Sequence, residues 1–182
     1  MKSFGRGVKR HKRGLQCVIV DGYNVVAQMQ RSALEALEDV DAARDQLLDL
    51  LKEYRAFSGD DVIVVYDAHH AKKPGSETME AGVRIIFTSH QETADDRIER
   101  LVYELRDTYR KITVATSDFA EQQVTFGGGA LRISAREFLQ QLRDVKHSIR
   151  RTVESKNDSA RTPLIDTIRH DIANILEKWR RG

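Results

Sequence analysis

The order of apolar segments predicts an α/β protein: three layers, α/β/α, with a central and mainly parallel sheet and a helical extension at the C-terminus. Short β-branched runs at 16–20, 62–66, 83–87 and 112–116 are almost continuously apolar, as strands buried on both faces must be. Stretches with apolar residues at helical spacing separate them. Alternation of the two patterns builds a parallel sheet through crossover helices, with a layer of helices on each face.

The elements follow in order. Before the second strand, Val40, Ala43, Leu47, Leu50, Leu51 and Tyr54 recur on one helical face, and Ile98, Leu101, Val102 and Leu105 do so before the fourth. A fifth, weaker strand is expected at 130–133, after Gly127-Gly128-Gly129. Ser134-Ala135-Arg136-Glu137 is a capping box for a helix carrying Phe138, Leu142, Val145 and Ile149. The polar segment 154–161, ESKNDSAR, reads as a linker. Thr162-Pro163 then looks like an N-cap followed by Pro at the first helical position, opening a helix whose stripe runs from Leu164 through Ile168 and Ile175 to Trp179. That stripe needs a cover, on the domain itself, on a second copy or on a partner. The expected organisation is a basic flexible arm at 1–14, a main domain at 15–153, and a linker with a C-terminal helix at 154–182.

Composition bounds the function. With 182 residues the chain has the size of one sizeable domain. A single cysteine, Cys17, can form neither an internal disulfide nor a thiolate zinc site. No apolar run approaches the ~20 residues that span a bilayer, so a soluble, cytoplasmic protein without a membrane partner is expected. The net charge of +2 is unevenly placed. Residues 1–14 carry six Lys/Arg and no acid, residues 141–182 carry ten against six acids, and the segment between them has a net charge of −8.

In an open parallel sheet, ligands bind beyond the carboxyl ends of the strands, and the residues there are acidic. Asp21 follows the first strand, Asp67 the second and Asp118 the fourth, while Asp95 and Asp96 open the helix after the third. Each alone is explained by capping or turn formation. Together, four mutually repelling carboxylates at one edge take up protons or bind a hard cation, and oxygen ligands suit Mg²⁺ or Mn²⁺. Such a site can activate water against a phosphodiester. Other chemistries lack their residues: FGGGA has no following Lys-Ser/Thr, no G-x-S-x-G elbow occurs, and position 23 is Tyr where an aspartyl-phosphate enzyme needs a second Asp. His69, His70 and His90 lie near the edge as solvated or supporting groups.

Asp21-Gly22-Tyr23-Asn24 after an apolar strand resembles the D-G-Y-N opening of the NYN domain, a branch of the PIN-like metal-dependent ribonucleases. Val65-Tyr66-Asp67-Ala68-His69, Glu92-Thr93-Ala94-Asp95-Asp96-Arg97-Ile98-Glu99, Ala115-Thr116-Ser117-Asp118 and Phe126-Gly127-Gly128-Gly129-Ala130-Leu131-Arg132 are similar to the YacP-like bacterial branch. The resemblance covers roughly 16–150 and the end of the chain. It implies a PIN-like fold and a magnesium-dependent endoribonuclease, in a branch associated with ribosomes and mRNA decay. It maps metal ligands onto Asp21, Asp67, Asp95 and Asp118, with Asn24 supporting the first, while Asp96, turned by about 100° along the helix, is expected to cap it. Arg97, Arg132 and Arg136 are candidate phosphate clamps for RNA, and Arg143, Lys146 and Arg150 fall on one helical face that can draw a polyanion toward an acidic site. Two further readings stand beside the nuclease: a PIN-like module that binds RNA or the ribosome and cleaves little, and a phosphohydrolase of small nucleotides.

Overall fold

The computed structural model describes residues 16–31, 39–70, 73–116, 129–158, 172 and 175–179. Six strands form one sheet: β1 (Gln16–Asp21), β2 (Asp61–Tyr66), β3 (Glu77–Glu80), β4 (Val83–Phe87), β5 (Lys111–Thr116) and β6 (Leu131–Ser134). Their order across the sheet is β3-β4-β2-β1-β5-β6, and every pairing is parallel except β3 with β4. The helices are α1 (Gly22–Gln30), α2 (Val40–Ser58), α3 (Ala94–Leu105) and α4 (Ala135–Asp158).

Alternation along each strand divides the core into two layers. Val18, Val20, Val62 and Val64 face α1, α2 and α4, whose Val25, Leu47, Leu51, Phe138 and Leu142 are fully or almost fully buried. Cys17, Ile19, Ile63 and Val65 face α3, which contributes Ile98, Leu101 and Val102. The three-layer α/β/α expectation therefore holds: α1, α2 and α4 cover one face of the sheet and α3 the other.

Local chemistry sets the element ends. Asp39 caps α2 by accepting the Ala42 N–H at 2.9 Å, and Gly59 in the left-handed region ends it. Ser134 and Glu137 form the expected capping box of α4, at 3.1 and 2.9 Å. The hairpin from β3 to β4 turns through Ala81 and Gly82, both with positive φ (45° and 83°), the geometry of a two-residue hairpin turn.

Two boundaries differ from the sequence expectations. The helix α4 continues to Asp158, past the linker start expected at 154: polar residues without Pro or Gly do not end a helix that is already growing. The strand β3 was not anticipated, because Glu-Thr-Met-Glu is exposed at all four positions and carries no apolar alternation. It exists as an edge strand whose backbone pairs with β4. The basic arm at 1–14 and the helix start at Thr162-Pro163 lie outside the described residues.

Trp179 packs back on the domain. Residues 175–179 are helical, and Trp179 stacks on Tyr54 at 5.6 Å between ring centroids, while Tyr54 meets Phe138 edge-on at 5.7 Å. Tyr54 also donates its hydroxyl to Asp60 at 3.1 Å. Replacing Trp179 with Ala removes a partly buried indole, so the expected loss is about 2 kcal/mol, below the figure for a fully buried ring. Urea denaturation of the two proteins measures it.

Candidate active site

The chain leaves β1 through α1 and α2 to reach β2 on one side, and returns from β4 through α3 to β5 on the other. This reversal opens a crevice at the carboxyl ends of β1 and β5, the usual ligand position in such sheets. Asp21 and Thr116, the last residues of the two strands, stand there.

Asp21 is only 5% exposed. It is also the N-cap of α1 and accepts the Asn24 backbone N–H at 3.3 Å. The Asn24 side-chain amide donates to its other oxygen, and the Thr116 hydroxyl reaches that oxygen at 3.4 Å. Burial pushes the Asp21 carboxyl above its ordinary range; the bonds from Asn24 and Thr116 pull it down, and the charge of Asp95 pushes it up again. Among the described residues no cationic side chain is paired with Asp21 or Asp95. Gly22 is fixed by a close approach: a Cβ there would lie 2.2 Å from the Tyr66 ring.

Asp67 follows β2 and keeps a side chain 25% exposed. Burial raises its carboxyl, but this is outweighed by the His69 ring nitrogen, the His69 backbone N–H at 3.1 Å and the Ala94 backbone N–H, so the net displacement is downward. The last of these bonds joins the β2 loop to the first turn of α3. The buried Thr88 hydroxyl accepts the Ala68 N–H at 2.9 Å and closes the same loop against the end of β4.

At the start of α3 the two neighbouring acids have separate tasks. Asp96 is spent in a capping box, with its carboxylate on the Thr93 hydroxyl at 2.7 Å and the Thr93 N–H at 3.3 Å. Asp95 is exposed and acts electrostatically on Asp21. The structure thus gathers Asp21, Asp67 and Asp95 at one edge, with Asn24 against the first. Asp118 lies outside the described residues. Among the described residues no three His, Cys, Asp or Glu side chains stand close enough to hold a metal by themselves. The donors present are nonetheless all oxygen, and a buried carboxylate facing a second one without a cation fits a hard divalent ion. The Asn24 amide nitrogen is committed to Asp21, which leaves its carbonyl oxygen to meet a cation.

The candidate RNA contacts distribute differently. Arg97 is 16% exposed, pairs with Glu104 at 3.8 Å and stabilises the charge of Glu77 on β3. Arg132, on β6, lines a cavity of about 400 Å³ with Lys111, Glu137, Asp144 and Trp179. Arg136, Arg143, Lys146 and Arg150 are exposed along α4. Two supporting residues were not foreseen in the sequence, Thr116 and Thr88, whereas His69 takes the supporting role expected of it. Thr116 was visible only as part of the motif ending in Asp118, since its role depends on cross-strand register.

The family model of the YacP-like NYN domain matches residues 18–181. Over 169 residues the chain is 39% identical to YacP of Bacillus subtilis (strain 168), covering 92% of this chain and 98% of that protein. It is similar to the crystal structure of Rae1 (YacP) from Bacillus subtilis, with a TM-score of 0.65 and 37% identity over 91% of this chain and 95% of the other. A Trp-to-Leu variant of Rae1 gives a TM-score of 0.66 and 36% identity, over 84% and 89% of the two chains.

Two outcomes follow from this geometry. Gly22→Ala drives a methyl group into the Tyr66 ring, with an expected destabilisation of about 1–3 kcal/mol that thermal unfolding reads. In metal-free protein, Asp21 gains stability from its raised carboxyl only while protonated: the gain is full below the ordinary value of 3.8 and is lost as pH rises through the raised value. Asp21→Asn keeps the cap and removes the buried charge. Its Tm in EDTA is therefore expected to exceed that of the wild type at pH 7, with the difference closing toward pH 4.

Proposed function

The chain belongs to the YacP-like NYN domain family, a family of nuclease type, and from that premise we propose that it is a metal-dependent endoribonuclease hydrolysing phosphodiester bonds in RNA, with mRNA on the ribosome as its substrate. The observation that carries this reading is the buried Asp21 carboxylate, unpaired with any cation among the described residues and opposed by Asp95. A protein without use for a cation gains nothing by burying one acid beside another.

In this reading Asp21, Asp67 and Asp95, with Asp118 and the Asn24 carbonyl, hold Mg²⁺ or Mn²⁺. Such an ion, when bound, lowers the pKa of water and offsets the negative charge that develops on the phosphate. The protein's own contribution is orientation. Asn24 from α1 and Thr116 from β5 both donate to the same oxygen of Asp21 and fix its rotamer, and His69 and Ala94 hold Asp67 between the β2 loop and α3. Each carboxylate thereby keeps its direction before substrate arrives, which is where preorganised sites draw their advantage. Hydrolysis adds the elements of water across one P–O bond, and no covalent enzyme intermediate is needed. This substrate makes the cytoplasm the site of action.

One observation favours a second reading, a catalytically weak module for RNA or the ribosome: the described residues do not complete a three-ligand metal cage. Cleavage assays separate the two. Wild type and Asp95→Asn are incubated with a labelled structured RNA and with translating ribosomes, each with Mg²⁺, Mn²⁺ or EDTA. Expected are metal-dependent cleavage by wild type, none in EDTA, and a loss on the order of a hundredfold or more in the variant. Full activity of Asp95→Asn overturns the assignment, and ribosome binding without cleavage in both proteins selects the module. Independently, Mg²⁺ at 100 times its dissociation constant is expected to add about 2.7 kcal/mol to wild-type stability and nothing to Asp21→Asn.

A further inference from the structure

We infer that the outer face of α4 is a track for the sugar-phosphate backbone of a single RNA strand, leading away from the acidic edge; this rests on the ribonuclease reading above. The starting point is fixed by register. The β5–β6 ladder pairs Thr116 with Ser134, and the Thr116 hydroxyl donates to Asp21. Ser134, from which α4 departs, therefore stands two strands from Asp21 at the same edge, about 10 Å away at ~4.8 Å per strand.

From there the helix is anchored by Phe138, Leu142 and Val145, all at most 2% exposed. Along it Arg136, Arg143, Lys146, His147, Arg150 and Arg151 are all exposed. At about 100° per residue, Arg136, Arg143, His147 and Arg150 fall within an arc of roughly 60°, flanked by Lys146 and Arg151. The line from Arg136 to Arg150 is about 21 Å long at ~1.5 Å per residue. The nearby acids stand to one side: Glu137 is used in the capping box, and Asp144 accepts from Gln140 at 2.9 Å.

On α2 and α3 most of the described cations are paired. On α2, Arg44 pairs with Asp41, and Lys52 with Asp49 and Glu80. On α3, Arg97 pairs with Glu104 and Arg100 with Glu92. Among the described residues, Arg143, Lys146, Arg150 and Arg151 have no carboxylate partner. Between Arg136 and Arg150 this arc holds no acid, whereas α2 and α3 interleave Asp41, Asp49 and Glu104 with their cations. A polyanion approaching a segment of net charge −8 does need such a face.

The dimensions favour one strand over a duplex. A single file of cations one helix wide follows one backbone, whereas duplex recognition places contacts across a groove on both strands. At about 3.4 Å per stacked nucleotide, 21 Å accommodates roughly six nucleotides. The exposed line carries no Phe, Tyr or Trp for base stacking, with His147 its one ring, so binding along it is expected to be largely tolerant of sequence.

The test uses the full chain and Arg143→Gln/Lys146→Gln/Arg150→Gln, with single-stranded RNAs extended stepwise on either side of a mapped cleavage site. Wild-type cleavage is expected to speed up with extension on one side, levelling off near six nucleotides, and the triple variant is expected to lose that length dependence. For binding of a noncleavable 12-nucleotide RNA, the slope of log K against log salt is expected to fall by about 2, near 0.7 per cation removed, which shrinks the affinity change between 50 and 200 mM salt by roughly twentyfold. Unchanged thermal unfolding and an unchanged Mg²⁺-induced rise in Tm identify the variant as folded with its acidic edge intact. An unaltered salt slope, or equal losses with duplex RNA and with anionic phospholipid vesicles, overturns the track. Absence of cleavage by wild type fails the nuclease reading instead, and leaves the salt slope to decide the track by itself.

Discussion

Asp21 has to end a strand, start a helix and remain ionisable while buried, and the surrounding structure is arranged to permit all three. Its carboxylate accepts from Asn24 on its own helix and from Thr116 on the neighbouring strand. Gly22, next in the chain, leaves space for the Tyr66 ring. Tyr66 in turn stacks on Phe87 at 5.3 Å and lies 5.1 Å from Tyr23. Arg44 spans the group, bonding the Tyr23 hydroxyl at 3.0 Å and lying over Phe87 at 5.4 Å. One acid is thus held in place by side chains from β1, α1, α2, β2, β4 and β5.

The two faces of the sheet share the work unequally. The face covered by α1, α2 and α4 carries most of the buried aromatic rings, including Tyr54, Tyr66 and Phe138. The face covered by α3 is thinner and aliphatic, yet α3 supplies Asp95 and the Ala94 N–H to the site. Among the described residues no helix is long and apolar enough to cross a membrane, and the exposed surface is dominated by charge. Most of the described cations of α2 and α3 pair within their helices or with a neighbouring element, whereas Arg143, Lys146, Arg150 and Arg151 on α4 are exposed.

Much of this was legible in the chain. Continuous β-branched runs located β1, β2, β4 and β5, because strands buried on both faces cannot be polar. Helical periodicity located α2, α3 and α4, and capping residues fixed the starts of α3 and α4. The acids were found because strand ends in a parallel sheet share an edge whatever the strand order. What escaped depended on three-dimensional neighbours. Pairing with β4 makes β3 a strand, although its own side chains are all exposed. The role of Thr116 exists only once β5 lies beside β1, and that of Thr88 only once β4 lies beside β2. Arg97 also pairs with Glu104, two turns along the same face of α3, a contact that its immediate sequence neighbours do not announce.

The hydrogen bond between Thr116 and Asp21 joins residues 95 positions apart. Closing so long a loop is entropically costly and slow relative to forming hairpins and helices. Partly folded chains can build α2, the β3–β4 hairpin or α3 without ever assembling the acidic edge. An activity that depends on that edge is therefore silent in every folding intermediate lacking the β1–β5 pairing. Under the proposed function, this ordering of events keeps an unfinished molecule from acting on the RNA around it.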